Sequence, residues 1–371
     1  MPVRMRTTSG SRASGYEMAG IAMALAGACA VVVATAHAAG STFVGGFNNV
    51  RTIASTVPKN KDVNPYGVAV SPVSKGRLVS GDVLVSNFNN HRNLQGTGTT
   101  IVEISPSGRK STFASLAANK LPGACPGGVG LTTALVALKS GWVVVGSLPT
   151  KNGKPATIKQ GCLIVLDSSG KPVETISGSS VDGPWDMTAS DSGASAALFV
   201  TNALNGTIVR IELSGLAGAK PAVGAETAIG NGFGHHTDPS ALVVGPTGVG
   251  LASDGTLYVS DSVGNRVASI PDAATRTTPV SGTAVSSGGA LNDPLGLAIA
   301  PNGDILTVNG GDGNLVETTP AGAQVAVKML DDTAAPPGPN GNGTLFGLAV
   351  VPDGSGVYFV DDGSNTLNLL H

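Results

Sequence analysis

Charge, aromatic rings and cysteine are all scarce in this chain. Of its 371 residues, 12% are charged, 4% are aromatic and three are cysteine. Globular domains average about 25% charged residues, so dense salt-bridge networks are not the basis of this fold. No run of Lys or Arg occurs, and nucleic acid therefore lacks the basic footprint it needs. His-Glu-x-x-His, Gly-x-Ser-x-Gly and the phosphate-binding Gly-x-x-x-x-Gly-Lys are all missing. With them go the zinc-protease, nucleophile-elbow and P-loop signatures. What fills the space is glycine, 53 residues of it, with an apolar fraction of 41% that excludes disorder. Abundant Val, Ile and Thr beside so much glycine predict many short strands joined by tight turns.

Residues 1–38 read as an export signal. Arg4, Arg6 and Arg12 form a basic start, and an apolar run from Ala19 to Ala36 leads to the small-x-small site Ala36-His37-Ala38. Its Ala and Gly content makes a weak membrane span, with a retained anchor as the alternative. Removal of 1–38 leaves 22 − 3 = 19 basic and 24 − 1 = 23 acidic residues, a net charge near −4. No later stretch is long and apolar enough to span a membrane. The expectation is a secreted or periplasmic monomer comprising residues 39–371.

Self-similarity at a period of 50–60 residues organises that domain, and such periods mean solenoids or propellers. Five segments share Pro-x-small-apolar-small-apolar, beginning at Pro65, Pro126, Pro184, Pro239 and Pro294; a sixth at Leu345 lacks only the proline. Each is followed by a Gly turn, as at Asp254-Gly255, Asn302-Gly303 and Asp353-Gly354. A second strand (Leu257-Tyr258-Val259), a third (Thr207 to Ile211) and a more polar fourth come next. Four antiparallel strands per repeat make a propeller blade, and six repeats make an all-β six-bladed β-propeller. The shorter, hairpin-free repeat of a β-solenoid fits less well. The last repeat ends at His371 after three strands, while Val50–Ala54 resembles a fourth strand. The N-terminal strand is therefore expected to close the last blade.

Pro-x-Gly-Leu-Ala, a Gly turn, Leu-Tyr-Val-x-Asp and Asn-Arg-Val resemble the NHL repeat. The fourth copy is nearest, with Leu257-Tyr258-Val259-Ser260-Asp261 and Asn265-Arg266-Val267. The family's His after the Asn is Arg266, Leu315 or Thr366 here. The resemblance covers residues 50–371 and implies the fold rather than any one activity.

Loops before strand one and after strand two fall on one face. The end of strand two contributes Asn87, Ser147, Asn202, Asp261, Asn309 and Asp361, expected to ring the channel mouth. Asp261, Asn309 and Asp361 come from consecutive blades, and oxygen ligands suit Ca²⁺ better than Zn²⁺. Gluconolactonase and regucalcin propellers, more distantly similar, also use a ring of Asn and Asp on this face. They add a Glu near a first strand that has no counterpart here. The competing reading is that these residues start turns by bonding their own backbone.

Asn87, Asn202, Asn309 and His235 are the candidate ligand-binding residues. His235-His236 precede the fourth blade, and His91 and Arg92 sit in a long loop of the first. Asp186 replaces the usual Gly of a first strand and should be paired, protonated or metal-bound if buried in the channel. Asp186 and His236 are thus the candidate acid–base residues. Cys125 and Cys162 lie on the same face of blade two, and export predicts a disulfide between them. Two functions compete: a scaffold binding a protein or small ligand at the channel mouth, and a metal-dependent hydrolase, lactonase or lyase using the Asp/Asn ring.

Overall fold

The computed structural model describes residues 42–333 and 338–371 of the chain; the export segment lies outside them. Six four-stranded antiparallel sheets form a six-bladed propeller; five run in chain order from axis to rim, and the sixth takes its rim strand from the N-terminal end of the domain. The inner strands are Val63–Val70, Leu131–Ala137, Pro184–Asp191, Pro246–Leu251, Pro294–Ile299 and Leu345–Val350. Ring closure is as expected. Val50–Ser55 pairs antiparallel with Thr366–Leu370, in the register Val50↔Leu370 and Ser55↔Thr366. Asn49 N donates to the His371 carbonyl at 3.0 Å and His371 N returns the bond at 2.9 Å.

Two inner strands are not where the repeat motif puts them. Pro126–Gly130 is lead-in to blade two, whose strand starts at Leu131 and bulges before Leu135. In blade four the apolar Leu242–Val244 instead pairs with His236–Asp238 as a separate hairpin, and the inner strand is Pro246–Leu251. Both decoys carry the right spacing of small and apolar residues. What they lack is a second-strand partner.

The core is segmented. Six apolar clusters lie between adjacent blades, such as Leu84, Ile101, Leu135 and Val145 between blades one and two. Another joins Tyr258, Val267, Leu297 and Ile305 between blades four and five. Second and third strands are buried on both faces: every residue of Val83–Asn89 is buried, and Cys162–Leu166 is a continuous apolar run. Hydroxyl groups tie the blades near the axis. Ser86 Oγ donates to the Thr132 carbonyl at 2.7 Å, Thr132 Oγ1 to Pro184 at 2.8 Å and Thr247 Oγ1 to Pro294 at 3.0 Å.

Glycine in the inner strands answers a steric demand. A Cβ at Gly67, Gly248, Gly296 or Gly347 would fall within 3 Å of a carbonyl oxygen on the next blade. Real side chains do not approach backbone that closely.

The disulfide forms between Cys125 and Cys162, with Cα atoms 5.2 Å apart. It ties the lead-in loop to the third strand of blade two. Closing a 37-residue separation is worth about 3–4 kcal/mol in the chain-entropy account. The double variant Cys125→Ser/Cys162→Ser should unfold at lower denaturant by that margin; an unchanged midpoint would refute it.

An acid pair holds the N-terminal arm. The buried Glu317 carboxylate accepts Phe43 N at 2.6 Å and Val44 N at 2.9 Å, fixing the arm over blades five and six. Burial, and then the proton shared with Glu317, pushes the neighbouring Asp304 carboxyl up to about 6. A carboxyl raised on folding contributes stability below its unfolded value, and this is lost as pH rises through the folded one. Asp304→Asn should therefore gain on wild type between about pH 4 and 7, by about 2–4 °C in Tm if the effect is about 1 kcal/mol. A Tm difference that does not change over that range would remove the acid pair from the account.

Candidate functional site

Strand alternation divides the propeller into a loop face, described above, and a turn face carrying the short hairpins. The loop-face mouth is closed. Tyr66 stacks on Phe346 with ring centroids 3.9 Å apart and on Phe88 at 4.5 Å, with Trp185 edge-on to both. Leu242 and Val243 of the extra hairpin are buried in the same cluster. Gln95 Nε2 donates to the Ser240 carbonyl, so the hairpin reaches the long loop of blade one. Leu242 takes a φ of +68°, a conformation that branched side chains rarely adopt. Tyr66, Trp185 and Phe346 occupy the second position of their motifs, a recurrence visible in the sequence but unused in the reading above.

The strand-two residues are spent inside their own blades. Asn202 Nδ2 donates to the Ser180 carbonyl at 2.9 Å and to Thr207 Oγ1 at 3.0 Å, while its Oδ1 accepts Asp182 N at 3.0 Å. Asn309 repeats the pattern with Ala290 and Asn292, and Asn87 reaches Thr56 and Thr100. These three asparagines have no exposed surface, which corrects the expectation that they line a ligand-binding mouth. Ser147 is likewise buried, its hydroxyl held by Gly128 and Gly130.

Asp261 accepts Gly264 N at 2.9 Å and Arg266 Nε at 2.7 Å. Asp361 accepts Ser364 N and Oγ. Among the described residues no hydrogen bond or ion pair links Asp261, Asn309 and Asp361 to one another, and the Asp261 carboxylate is paired with the Arg266 guanidinium. No group of three His, Cys, Asp or Glu among the described residues is arranged to hold a metal ion. Among the described residues the structure thus shows no metal cluster of these residue types, and Asp261, Asn309 and Asp361 each bond within their own blades. The reason is that one polar residue per blade at the end of strand two is what a repeated turn needs.

His235 and His236 are exposed in and beside the hairpin, with His235 Nδ1 3.2 Å from the Phe233 carbonyl. His91 and Arg92 are exposed as well. None of them meets Asp186.

Asp186 stands elsewhere. The inner strands enclose a cavity of about 430 Å³ lined by Leu135, Met187, Leu251, Ile299, Leu348 and others, with Asp186 among them. The lining runs to Pro72, Leu138 and Asp191 at the ends of inner strands, so the cavity opens on the turn face. At this rim Lys139 Nζ donates to the Asp191 carbonyl at 2.8 Å and Lys139 N to its carboxylate at 2.6 Å. Asp186 itself is 8% exposed. Met187 N donates to its Oδ1 at 2.7 Å and Val249 N to its Oδ2 at 3.3 Å. Burial nonetheless pushes the carboxyl up to about 8, with the two amides pulling the other way. Burial thus favours its protonated form near neutral pH.

No family model and no curated protein matches the chain, so the NHL likeness rests on the motifs alone. Solved structures do match. A candidate gluconolactonase shares 15% identity over 89% of this chain and 93% of its own, with a TM-score of 0.54. The Xanthomonas campestris gluconolactonase shares 11% over 88% and 90%, TM-score 0.52. Regucalcin from Agrobacterium tumefaciens, described as calcium-binding, shares 15% over 86% and 93%, TM-score 0.52. At such identities the likeness establishes the fold alone, a six-bladed propeller.

Asp261→Ala should cost about 1–2 kcal/mol through the lost turn and ion-pair bonds. The loss should be the same with calcium and with chelator in thermal melts. A loss seen only with calcium would restore the metal reading.

Proposed function

We propose that the channel cavity receives a small, largely uncharged molecule and that Asp186 is its acid–base group, in a hydrolase of the lactone- or ester-opening kind. The carrying observation is a buried carboxyl, its pKa pushed up by burial to about 8, in a cavity of about 430 Å³ lined mainly by aliphatic side chains with Thr133, Thr188, Lys139 and Asp191 among them, a combination suited to a small-molecule site. Fold likeness to gluconolactonases supports the reaction class. In such a reaction water adds to the carbonyl carbon and the ring C–O bond breaks. Asp186 gives its proton to the departing oxygen and recovers one from the added water. No step needs a metal.

A second reading, binding without turnover, has its own support. Backbone amides occupy both Asp186 oxygens, and no other ionisable side chain but the rim pair Lys139 and Asp191 lines the cavity.

The test is hydrolysis of a panel of small neutral lactones and esters. If the first reading holds, kcat/KM stays level up to about pH 8 and falls above it as Asp186 ionises. Asp186→Asn should lower kcat about 100-fold or more, with KM little changed. No turnover, together with Asp186-dependent binding of the neutral dye N-phenyl-1-naphthylamine, would select the binding reading. Neither turnover nor binding would discard the cavity as a functional site.

A further inference from the structure

The sequence contains no basic run, yet folding gathers its cations. Lys59 and Lys61 precede the inner strand of blade one, and Arg92 follows its second strand. Lys120 leads into blade two, and Lys151, Lys154 and Lys159 follow that blade's second strand. All are exposed on the loop face. None belongs to the four ion pairs among the described residues.

The same face is acidic on its other side. Asp238 and Asp293 precede blades four and five, Asp312 follows the second strand of blade five, and Asp331 and Asp332 lead to blade six, where Asp362 follows the second strand. None of these has a Lys or Arg partner among the four ion pairs either. Burial, then repulsion from Asp361, pushes Asp362 up to about 7; burial raises Asp293 to about 6, with Asp238 adding to it. In a six-fold ring blade one stands opposite blade four and blade two opposite blade five. The loop face is thus divided into an exposed cationic half and an acidic half whose carboxyls, Asp332 apart, are half-buried or buried.

From this division we infer that the loop face docks a second copy of the chain across a two-fold axis, lysines of each copy over the aspartates of the other. A two-fold in the interface plane, along the boundary between the halves, carries each basic half onto an acidic one. A polyanion would satisfy the lysines but be repelled by the aspartates, and a polycation the reverse. The second copy satisfies both. Facing pairs at an exposed surface each contribute little, so the association is collective and sensitive to salt. The cavity opens on the opposite face and stays accessible, so this pairing is independent of the proposed reaction. It replaces the monomer expected from the sequence.

Sedimentation velocity on the full mature protein tests it. A dimer is expected at about 20 mM NaCl and a monomer at about 500 mM, where screening acts within about 4–5 Å. Lys151→Glu/Lys154→Glu/Lys159→Glu, all on an exposed loop, should be monomeric at both salts with an unchanged melting temperature. Carbodiimide coupling of mixed isotope-labelled and unlabelled wild type should join Lys151, Lys154 or Lys159 of one copy to Asp312 or Asp332 of another. A wild type that stays monomeric at low salt overturns the inference, and retention of that monomer on heparin would point to a polyanion instead. A dimer that survives the triple reversal, or lacks these couplings, overturns it equally.

Discussion

Six inner strands converge on one axis, and there is almost no room between them. Where a strand faces the next blade's carbonyl oxygen, a single methyl group is too much, as at Gly67, Gly248, Gly296 and Gly347. That crowding fixes the small residue in every motif and lets the Ser and Thr hydroxyls bridge neighbouring backbones. It also makes Asp186 exceptional. At the position where four other blades carry glycine, blade three carries a carboxyl, and Val249 of blade four donates to it. This buried carboxyl in the channel is therefore also a strut between two blades.

How much of this was legible depended on which force left a periodic trace. Blade number, strand order and ring closure follow from repetition and from a missing fourth strand, and both are plain in the sequence. Two inner strands were misplaced because Pro126–Leu131 and Pro239–Val244 imitate the motif; only the pairing of Leu131 with Ser147 and Pro246 with Asp261 distinguishes the true strands. The Cys125–Cys162 bond was legible from the shared face of one blade.

The candidate site was less readable. Asn87, Asn202 and Asn309 were placed on the right face, but a strand side chain points between blades rather than into the channel, and theirs close turns. Asp186 was marked out by its departure from glycine, yet the side from which its cavity opens depends on Tyr66, Phe88, Trp185 and Phe346 filling the other end. Filling a mouth is a property of several blades together. No single repeat records it. The charge division of the loop face escaped for the same reason, since its cations lie up to 100 residues apart, from Lys59 to Lys159.

Closure by the N-terminal strand also sets a schedule. Val50 pairs with Leu370, 320 residues later, so at a synthesis rate of about 5–20 residues per second the first strand waits roughly 16–64 s for its partner. During that interval Val50–Ser55 is an open β-edge, which invites association with other chains. Its exposed Arg51 and Thr52 supply the polarity that discourages such pairing. The ring therefore cannot close before Thr366–Leu370 has been made and released to pair.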